Sequence, residues 1–388
     1  MKSATVGLNI LCVASFLYSI AIGIVITIIP IYSIKLGANQ VELGVIVACY
    51  AAAYLVASPL IGRASDRFGR KNVLVCGMLG YSMAMLLFAL VNNPLELALV
   101  RIFQGITDVS YWVVPIALVA DLYPRTELGT SLGKLTTSQY AGLSVGPLVA
   151  GAFVEFLGFP WPFYICALIV CLTVTIMHVA FRRKLLQPQA PPQRSEERLV
   201  EETSRPSIVP YVGIVAGAIC YGVVFSQLIV YATGILGRVL MVGALVTGYY
   251  LINAIVQAPV GRLSDLVERR YIIVFAFAIS ALAFFLLTVT AAVSTLIIAT
   301  LLAGVAEGTL AVTLLTSVMD SAPSKRRGLH SGIQNVSWGL GYFLGPVISG
   351  FLAGYSSQVP FLFAGTVSLV MVPFMALRRT ATENRNTK

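Results

Sequence analysis

The segment GRASDRFGRK at residues 62–71 returns 199 positions later as GRLSDLVERR at residues 261–270. Glycine, arginine, serine and aspartate keep the same places in both copies. The same offset of 199 aligns a longer series of matches, which pairs Gly44 with Gly243, Tyr50 with Tyr249, Gly105 with Gly304, Asp121 with Asp320, Pro124 with Pro323, and Gly129, Gly133, Gly142, Gly146, Pro147 and Gly151 with Gly328, Gly332, Gly341, Gly345, Pro346 and Gly350. One register held from residue 44 to residue 350 predicts two halves in parallel repeat.

The composition indicates a membrane protein. Of the 388 residues, 58% are apolar and 11% are charged, whereas a soluble domain carries about a quarter charged residues. The mean hydropathy is +0.88. The net charge of +10 would also suit nucleic-acid binding. A basic binding face needs a polar scaffold, however, so we exclude nucleic acid as a partner.

Twelve apolar runs are long enough to cross a bilayer, which takes about 20 helical residues. They lie at residues 8–31, 43–61, 73–92, 96–120, 130–154, 161–181, 210–232, 242–261, 271–291, 295–319, 329–353 and 360–377. We therefore expect an all-α integral membrane fold of two six-helix bundles. The N-terminal bundle would cover residues 1–181, a charged, proline-containing cytoplasmic linker residues 182–209, and the C-terminal bundle residues 210–388. The first run is too long for a signal-peptide core and would be retained.

The basic residues predict the orientation, because cytoplasmic loops carry the excess of lysine and arginine. With both termini inside, 23 of the 26 bases face the cytoplasm or lie in its flanking segments, and only Lys35 and Arg238 fall outside. The remaining base, Arg101, lies within predicted helix 4. We expect a multi-pass protein of the cell membrane with cytoplasmic termini. Its positive charge is then mainly a signal of topology.

Motifs for enzyme chemistry are missing from the sequence. It contains no GxxxxGK[ST] or HExxH pattern and only two histidines. All six cysteines lie in apolar runs without CxxC spacing, so we expect no metal site and no disulfide framework. A transporter is therefore the leading class and an enzyme is not expected. A receptor or a lipid-binding scaffold is the alternative of a different class.

The repeated segment, its position after helix 2 and the six-plus-six plan resemble the major facilitator transporters. The resemblance implies a cytoplasmic gating motif in which an arginine, here Arg67, pairs with an acid at the end of helix 4, here Asp121. Gly62 would let helices approach closely. The second copy departs from the pattern at Leu266 and Glu268. The motif residues are Gly62, Asp66, Arg67, Gly69, Arg70, Lys71, Asp121, Gly261 and Asp265.

Two functions of this motif stay open, a gating latch and a static topology anchor. In the second copy Asp320 would need another base, such as Arg262, or would stay solvated.

The glycine spacing of predicted helix 5 resembles the antiporter signature of exporters in that superfamily, with Ala150 in place of a glycine. Small residues allow close helix packing, and Pro147 would bend the helix and help to seal one side of the cavity. The same spacing recurs in helix 11, where the exporter signature does not normally occur. Shared repeat packing is therefore an alternative explanation. The signature residues are Gly133, Gly142, Gly146, Pro147 and Gly151.

Three ionisable residues lie within apolar runs, where a charge is expensive and indicates function. Arg101 and Asp108 share one face of helix 4, and Glu307 is the repeat partner of Asp108 in helix 10. We expect the two acids on opposite walls of a central cavity. The segment from Arg101 to Gly105 resembles the helix 4 motif of proton-coupled members. That resemblance implies that Glu307, first, and Asp108 carry protons while Arg101 tunes them.

Structural roles are the alternative for these three residues. Arg101 would then be satisfied by carbonyl groups and by an acid such as Glu155, and Asp108 or Glu307 would form a hydrogen bond between helices.

Two deep acids against one base favour a neutral or cationic guest, and aromatic faces suit lipophilic cations. The expected cavity residues are Tyr18, Tyr50, Tyr54, Trp112, Gln227, Tyr231, Asn253, Gln257 and Trp338. Packing or an interfacial aromatic belt is the alternative for each aromatic residue.

The sequence thus predicts a monomeric exporter of small amphipathic or cationic molecules, such as drugs or metabolites. It would work by proton antiport and alternating access, with protons as the coupling ion and no cofactor. A proton-linked importer or facilitator of a neutral nutrient such as a sugar is the alternative, which the absence of an acid from helix 1 keeps open.

Overall fold

A computed structural model describes residues 2–123, 125–183, 185–186, 208–289, 292–321 and 327–377. This part of the chain contains twelve helices that are long and apolar enough to cross a membrane. They are α1 (Lys2–Lys35), α2 (Gln40–Phe68), α3 (Arg70–Phe88), α4 (Pro94–Leu122), α5 (Arg125–Leu157), α6 (Pro160–Arg182), α7 (Val209–Leu236), α8 (Val239–Leu266), α9 (Arg269–Val289), α10 (Val293–Ser321), α11 (Arg327–Ala353) and α12 (Val359–Leu377). The all-α, twelve-helix prediction is confirmed.

Side-chain caps fix the start of two helices. At α2, Asn39 Oδ1 accepts a bond from the Glu42 amide at 2.9 Å, and Glu42 Oε2 accepts one from the Asn39 amide at 2.8 Å. At α4, Asn93 Oδ1 accepts from the amide of Glu96 at 2.9 Å. These reciprocal bonds satisfy amide groups that no helical carbonyl can reach. The two capped helices follow short connections, residues 36–39 before α2 and residues 89–93 before α4.

The repeated segment is helical almost throughout, which corrects its prediction as a loop between helices 2 and 3. Helix α2 continues to Phe68 and α3 begins at Arg70, so Gly69 alone makes the turn, with a φ of 89°. A positive φ favours glycine, which has no Cβ. In the second copy Glu268 replaces this glycine, and the connection lengthens to two residues, with Val267 extended at a φ of −120°.

Tertiary contacts divide the chain into two units. Unit 1 comprises Met1–Gly37, Ala52–Arg198 and Val239–Thr247, and unit 2 comprises Ala38–Ala51, Leu199–Arg238 and Gly248–Lys388. Two short segments belong to the unit opposite to the rest of their helix. The start of α2 belongs to unit 2, and the start of α8 belongs to unit 1.

The helices pack in the same pairs in both units, as the sequence repeat requires. In unit 1, α1 packs along α5 and α6, and α3 packs on α4 and α6. In unit 2, α7 packs along α11 and α12, and α9 packs on α10 and α12. The two sets of pairs are identical under the six-helix repeat. The repeat is therefore one of tertiary packing as well as of sequence.

Candidate functional site

A buried polar cluster lies on α4 in unit 1. Arg101, 3% exposed, donates from Nη1 to Gln104 Oε1 at 2.7 Å. Gln104 in turn donates from Nε2 to the hydroxyl of Tyr81 on α3 at 3.3 Å. Arg101 and Gln104 are three residues apart, so they share one face of the helix. The guanidinium is thereby held inside the bundle by a chain of hydrogen bonds that crosses to a second helix.

Asp108 lies two turns beyond Arg101 on the same helix and is 1% exposed. Its Oδ1 accepts a bond from the hydroxyl of Tyr18 on α1 at 3.1 Å, and its Oδ2 accepts one from Trp112 Nε1 at 3.2 Å. Tyr18 stacks on Tyr111 with ring centroids 4.1 Å apart. Both carboxyl oxygens are thus occupied, and one of the two donors comes from another helix.

Tyr18 does not fit its predicted position in the cavity. It is 0% exposed and packs between Tyr111 and Tyr81, whose ring centroid lies 4.9 Å away. Its hydroxyl serves Asp108 rather than a guest. Sequence reasoning missed this role because the partner of Tyr18 is 90 residues away in the chain.

Glu307, the repeat partner of Asp108, has different surroundings in unit 2. It is the middle residue of α10, and its side chain is partly exposed. Among the described residues it has neither a hydrogen bond nor an ion pair. The neighbouring Gly308 packs against α8, where an added Cβ would lie 2.5 Å from the carbonyl oxygen of Asn253. Close helix packing therefore holds the backbone at Glu307 while its carboxyl group stays unengaged.

Helix α7 contains a π-helical turn at Val224–Leu228. Such turns are rare and occur often at functional sites. Gln227 lies in this turn and is 5% exposed, yet its Nε2 has no hydrogen-bond partner among the described residues. The hydroxyl of Tyr231, four residues further, is likewise buried without one. Two buried polar atoms on one helix therefore lack a hydrogen-bond partner among the described residues and are candidates for binding a polar group of a ligand.

An aromatic cluster in unit 2 surrounds Trp338 of α11. The ring centroid of Trp338 lies 5.0 Å from that of Tyr342 and 5.7 Å from that of Tyr221. Tyr50 meets Tyr342 edge-on at 6.2 Å, and the hydroxyl groups of Tyr221 and Tyr250 are 3.0 Å apart. The sequence prediction included Tyr50 and Trp338 but missed the other three tyrosines. The spacing of four residues between Trp338 and Tyr342 was a usable signal.

The nine predicted cavity residues fall into two groups by the exposed fraction of their side chains. Four of the nine are buried, with exposed fractions of 0% to 7%: Tyr18, Tyr54, Gln227 and Asn253. Five keep partly exposed side chains: Tyr50, Trp112, Tyr231, Gln257 and Trp338. Within unit 2, Gln257 donates to Asn253 Oδ1 at 2.8 Å. The predicted placement of Asp108 and Glu307 on opposite walls stays a prediction.

In the motif of residues 62–71 the base that binds Asp121 is Arg70, which corrects the pairing with Arg67. Arg70 Nε lies 3.2 Å from Asp121 Oδ2, and its Nη1 lies 2.6 Å from Asp66 Oδ1 and 3.1 Å from Ser65 Oγ. Arg67 is exposed and lies over the ring of its neighbour Phe68. Asp66 lies near the end of α2 and Arg70 begins α3 after the turn at Gly69, so Arg70 contacts both Asp66 and Asp121 at the end of α4.

Two further expectations for this motif have different outcomes. Gly62 makes no close approach, since an added Cβ would meet nothing within 4 Å among the described residues. The side chains of Asp265 and Asp320 lie outside the described residues, so the proposed partner of Asp320 stays open.

The glycines of α5 pack helix against helix. A Cβ at Gly142 would overlap the carbonyl of Phe16 on α1, and one at Gly146 would lie 2.5 Å from the carbonyl oxygen of Ile20. In the second copy, Gly341 and Gly345 meet the backbone of α7 in the same way. Gly133, by contrast, has open space around it. Close packing alone therefore accounts for most of the spacing in both repeats.

The starts of α8 and α2, which belong to the unit opposite to the rest of those helices, contact the C-terminal halves of α5 and α11. In unit 1, Gly243 of α8 meets the carbonyl of Pro147, and Glu155 Oε2 accepts a bond from the Leu240 amide at 3.2 Å. In unit 2, Gly44 of α2 meets the carbonyl of Pro346. Sequence reasoning proposed Glu155 as a partner of Arg101. The structure shows Glu155 bound to the positive N-terminal end of α8.

These features define a class, a polytopic membrane transporter built from two repeated six-helix units with buried polar groups. The family model of the Major Facilitator Superfamily matches residues 11–239 and 213–388, and the chain belongs to that family. It is therefore a transporter with a small-molecule substrate and a multi-pass membrane protein, not an enzyme.

Similar proteins cover nearly the whole chain. An uncharacterized MFS-type transporter of Methanocaldococcus jannaschii is 26% identical over 383 residues, which are 95% of this chain and 98% of that protein. Multidrug resistance protein 2 of Bacillus subtilis is 25% identical over 367 residues, 92% of this chain and 90% of its own. The crystal structure of a POT family transporter in complex with 5-aminolevulinic acid matches with a TM-score of 0.81 at 15% identity, covering 96% of this chain and 95% of that chain. The structural match shows the fold alone.

Proposed function

We propose that this transporter exports small amphipathic or cationic molecules in exchange for protons, with Glu307 as the principal proton carrier. The observation that carries the proposal is the contrast between the two repeat-related acids. Asp108 is engaged on both oxygens, whereas Glu307 is partly exposed and unengaged among the described residues. An acid without fixed hydrogen bonds can gain and lose a proton without breaking such a bond, which favours Glu307 over Asp108 as the proton carrier.

Asp108 and Arg101 take supporting roles in this proposal. Asp108 orders Tyr18 and Trp112 around it, and Trp112 remains partly exposed. Arg101 is tied to Gln104 inside the same bundle. A fixed carboxylate beside an accessible indole attracts a cation and offers it an aromatic face. Asp108 and Trp112 together would therefore favour guests of positive charge.

Unit 2 contains candidate groups of its own for binding a guest. The orphaned Nε2 of Gln227 and hydroxyl of Tyr231 can bind polar atoms of a guest, and the cluster around Trp338 offers aromatic surface. Apolar and aromatic walls with few polar groups are typical of small-molecule sites. This combination suits an amphipathic molecule. Multidrug resistance protein 2 of Bacillus subtilis, whose name refers to resistance to several drugs, is similar over most of the chain.

Alternating access would involve the starts of α8 and α2. The close contacts of Gly243 with Pro147 in unit 1 and of Gly44 with Pro346 in unit 2 lie at the opposite ends of the helices from Arg70 and Asp121. We expect the packing at these contacts, and the Glu155 bond to the amide of Leu240, to change during the cycle. Protonation of Glu307 would bias the equilibrium between the two states, since a ligand shifts a population only through differential affinity.

The test uses proteoliposomes with an acidic lumen and external ethidium, a permanently charged cation that a pH gradient alone does not trap. Antiport accumulates ethidium inside as protons leave. Glu307→Gln should abolish this accumulation and retain downhill ethidium counterflow, because glutamine resembles the protonated acid. The matched control is Glu268→Gln, the same change at an exposed turn residue, which should accumulate ethidium like the wild type. Gradient-driven accumulation by Glu307→Gln at the wild-type rate would refute the proposal.

The second candidate is a proton-linked importer or facilitator of a neutral polar nutrient. One observation favours it: the glycine spacing of α5 recurs with equal packing in α11 and so carries no export direction of its own. The same vesicles separate the two functions. An importer would leave ethidium outside and would accumulate a neutral sugar only when the external medium is the acidic side.

A further inference from the structure

Helix α6 has one exposed face with the profile of a complete bilayer crossing. Trp161 and Tyr164 lie exposed at its first turn, Leu168 and Leu172 are exposed further along, and Arg183 is exposed just past its end. Aromatic residues mark one membrane interface, and arginines extend to the other. The segment from Trp161 to Arg183 spans about 33 Å at a rise of 1.5 Å per residue, close to the thickness of the hydrocarbon core. This face therefore contacts lipid.

At the basic end of this face, a groove of about 270 Å³ opens between α6 and α1. Its walls are apolar and consist of Ile10, Ile176, Val179, Ala180 and Leu185. The hydroxyl of Thr175, which also lines it, is bonded to the carbonyl of Cys171 in its own helix at 2.9 Å. The groove is thus smaller than the usual 300–1,000 Å³ of a drug-sized site. It suits part of an acyl chain.

The turn after α6 packs against α1 beside this groove. The amide of Leu185 donates to the carbonyl of Ala180 at 3.1 Å, and Leu186 is 2% exposed. Gly7 of α1 leaves room for the carbonyl of Leu185, where any Cβ would overlap it. The close contact at Gly7 anchors the turn against α1 and leaves the apolar space beside it.

The rim of the groove carries a positive charge. Arg183 lines it, is exposed, and has no ion-pair partner among the described residues. In the sequence it stands between Arg182 and Lys184. Basic pockets between transmembrane helices on the cytoplasmic side bind anionic lipid headgroups.

We propose that the groove between α1 and α6 binds an anionic phospholipid, with its acyl chain against Ile10 and Val179 and its phosphate on Arg183. The occupant is a lipid because the groove opens on the face that contacts the bilayer. It is anionic because the one charged side chain that lines the groove is an arginine. The site is independent of Glu307 and of the direction of transport.

The test is native mass spectrometry of the purified protein with phosphatidylglycerol and with phosphatidylcholine. The wild type should bind phosphatidylglycerol more tightly. Arg183→Gln should weaken this binding about fivefold, the effect of one basic residue at a membrane surface, and leave phosphatidylcholine unchanged. The matched control is Arg182→Gln, an adjacent exposed arginine that does not line the groove and should have less than a twofold effect. Equal losses in both variants would mean diffuse attraction and would refute the site.

Two further measurements test the acyl chain. Thr175→Phe, which fills the groove, should weaken the binding of both lipids. A phosphatidylglycerol with a photoactivatable acyl chain should label the wild-type peptides that contain Ile10 and Val179, which needs no variant to fold. Soluble glycerophosphoglycerol should not compete at equal concentration. Its competition, or labelling spread evenly over the helices, would overturn the proposal.

Discussion

Replacement of the two repeat-related acids should have very unequal effects on stability, although the chemical change is the same. In Asp108→Asn, the amide oxygen can keep the bond from Tyr18, but the amide NH₂ then faces the indole NH of Trp112. One charge-assisted bond is lost and two donors oppose each other at a site that is 1% exposed. The expected loss in the free energy of unfolding is about 2–3 kcal/mol. Glu307→Gln breaks no bond to a described residue and should change it by less than about 0.5 kcal/mol.

The measurement is unfolding of the purified protein by sodium dodecyl sulfate in mixed micelles, followed by circular dichroism. Tyr18→Phe provides a graded comparison, because it keeps the ring stack and removes one donor to Asp108, for a loss of about 1.5–3 kcal/mol. Tyr164→Phe, at a 41% exposed position, is its control and should be neutral. If Asp108→Asn unfolds at the same detergent fraction as Glu307→Gln, the two bonds to Asp108 do not stabilise unit 1, and the contrast between the acids fails.

Three other predictions follow from the corrected contacts. Arg70→Ala should lose about 1 kcal/mol in the same unfolding assay, a modest value because both of its ion pairs are partly exposed, whereas Arg67→Ala should be neutral; equal effects would contradict the pairing. Gly142→Ala should destabilise by about 1–3 kcal/mol through overlap with α1, but Gly133→Ala, which meets open space, should be neutral or stabilise by up to about 1 kcal/mol. Gln227→Leu should weaken the binding of a substrate with a hydrogen-bond acceptor about 2- to 10-fold in a calorimetric titration. It should also raise the stability of the empty protein, since a buried unpaired amide is removed. Unchanged affinity would exclude Gln227 from the site.

The sequence predicted the fold more completely than the site. Apolar runs and the offset of 199 residues predicted twelve helices in two repeats, but the ends of helices at the basic side were placed too early. Charged residues such as Asp66 and Arg67 were read as a loop, although they continue α2 as a helix. Hydropathy detects where a chain leaves the hydrocarbon, and a helix continues past that point when its side chains permit it.

The candidate site shows the same limit. Gln227 was predicted as a cavity residue because it is polar in an apolar run. In the structure it lies in the π-helical turn at Val224–Leu228, where its Nε2 is buried without a hydrogen-bond partner among the described residues. No local pattern predicted that turn. The tyrosines around Trp338 were missed because two of them, Tyr221 and Tyr250, come from α7 and α8 and meet α11 or each other only through packing.

The sequence by itself determined the class of protein, because the length of an apolar run and the period of a repeat are local quantities that the bilayer reads directly. It also located the three ionisable residues within the helices. Only the tertiary structure decided which acid is engaged, since the donor Tyr18 lies 90 residues from Asp108, and no such partner among the described residues reaches Glu307. In the same way it assigned Asp121 to Arg70 and formed the groove beside Gly7. Hydrogen bonds act over about 3 Å, so their partners are fixed by how the helices pack and not by their order in the chain.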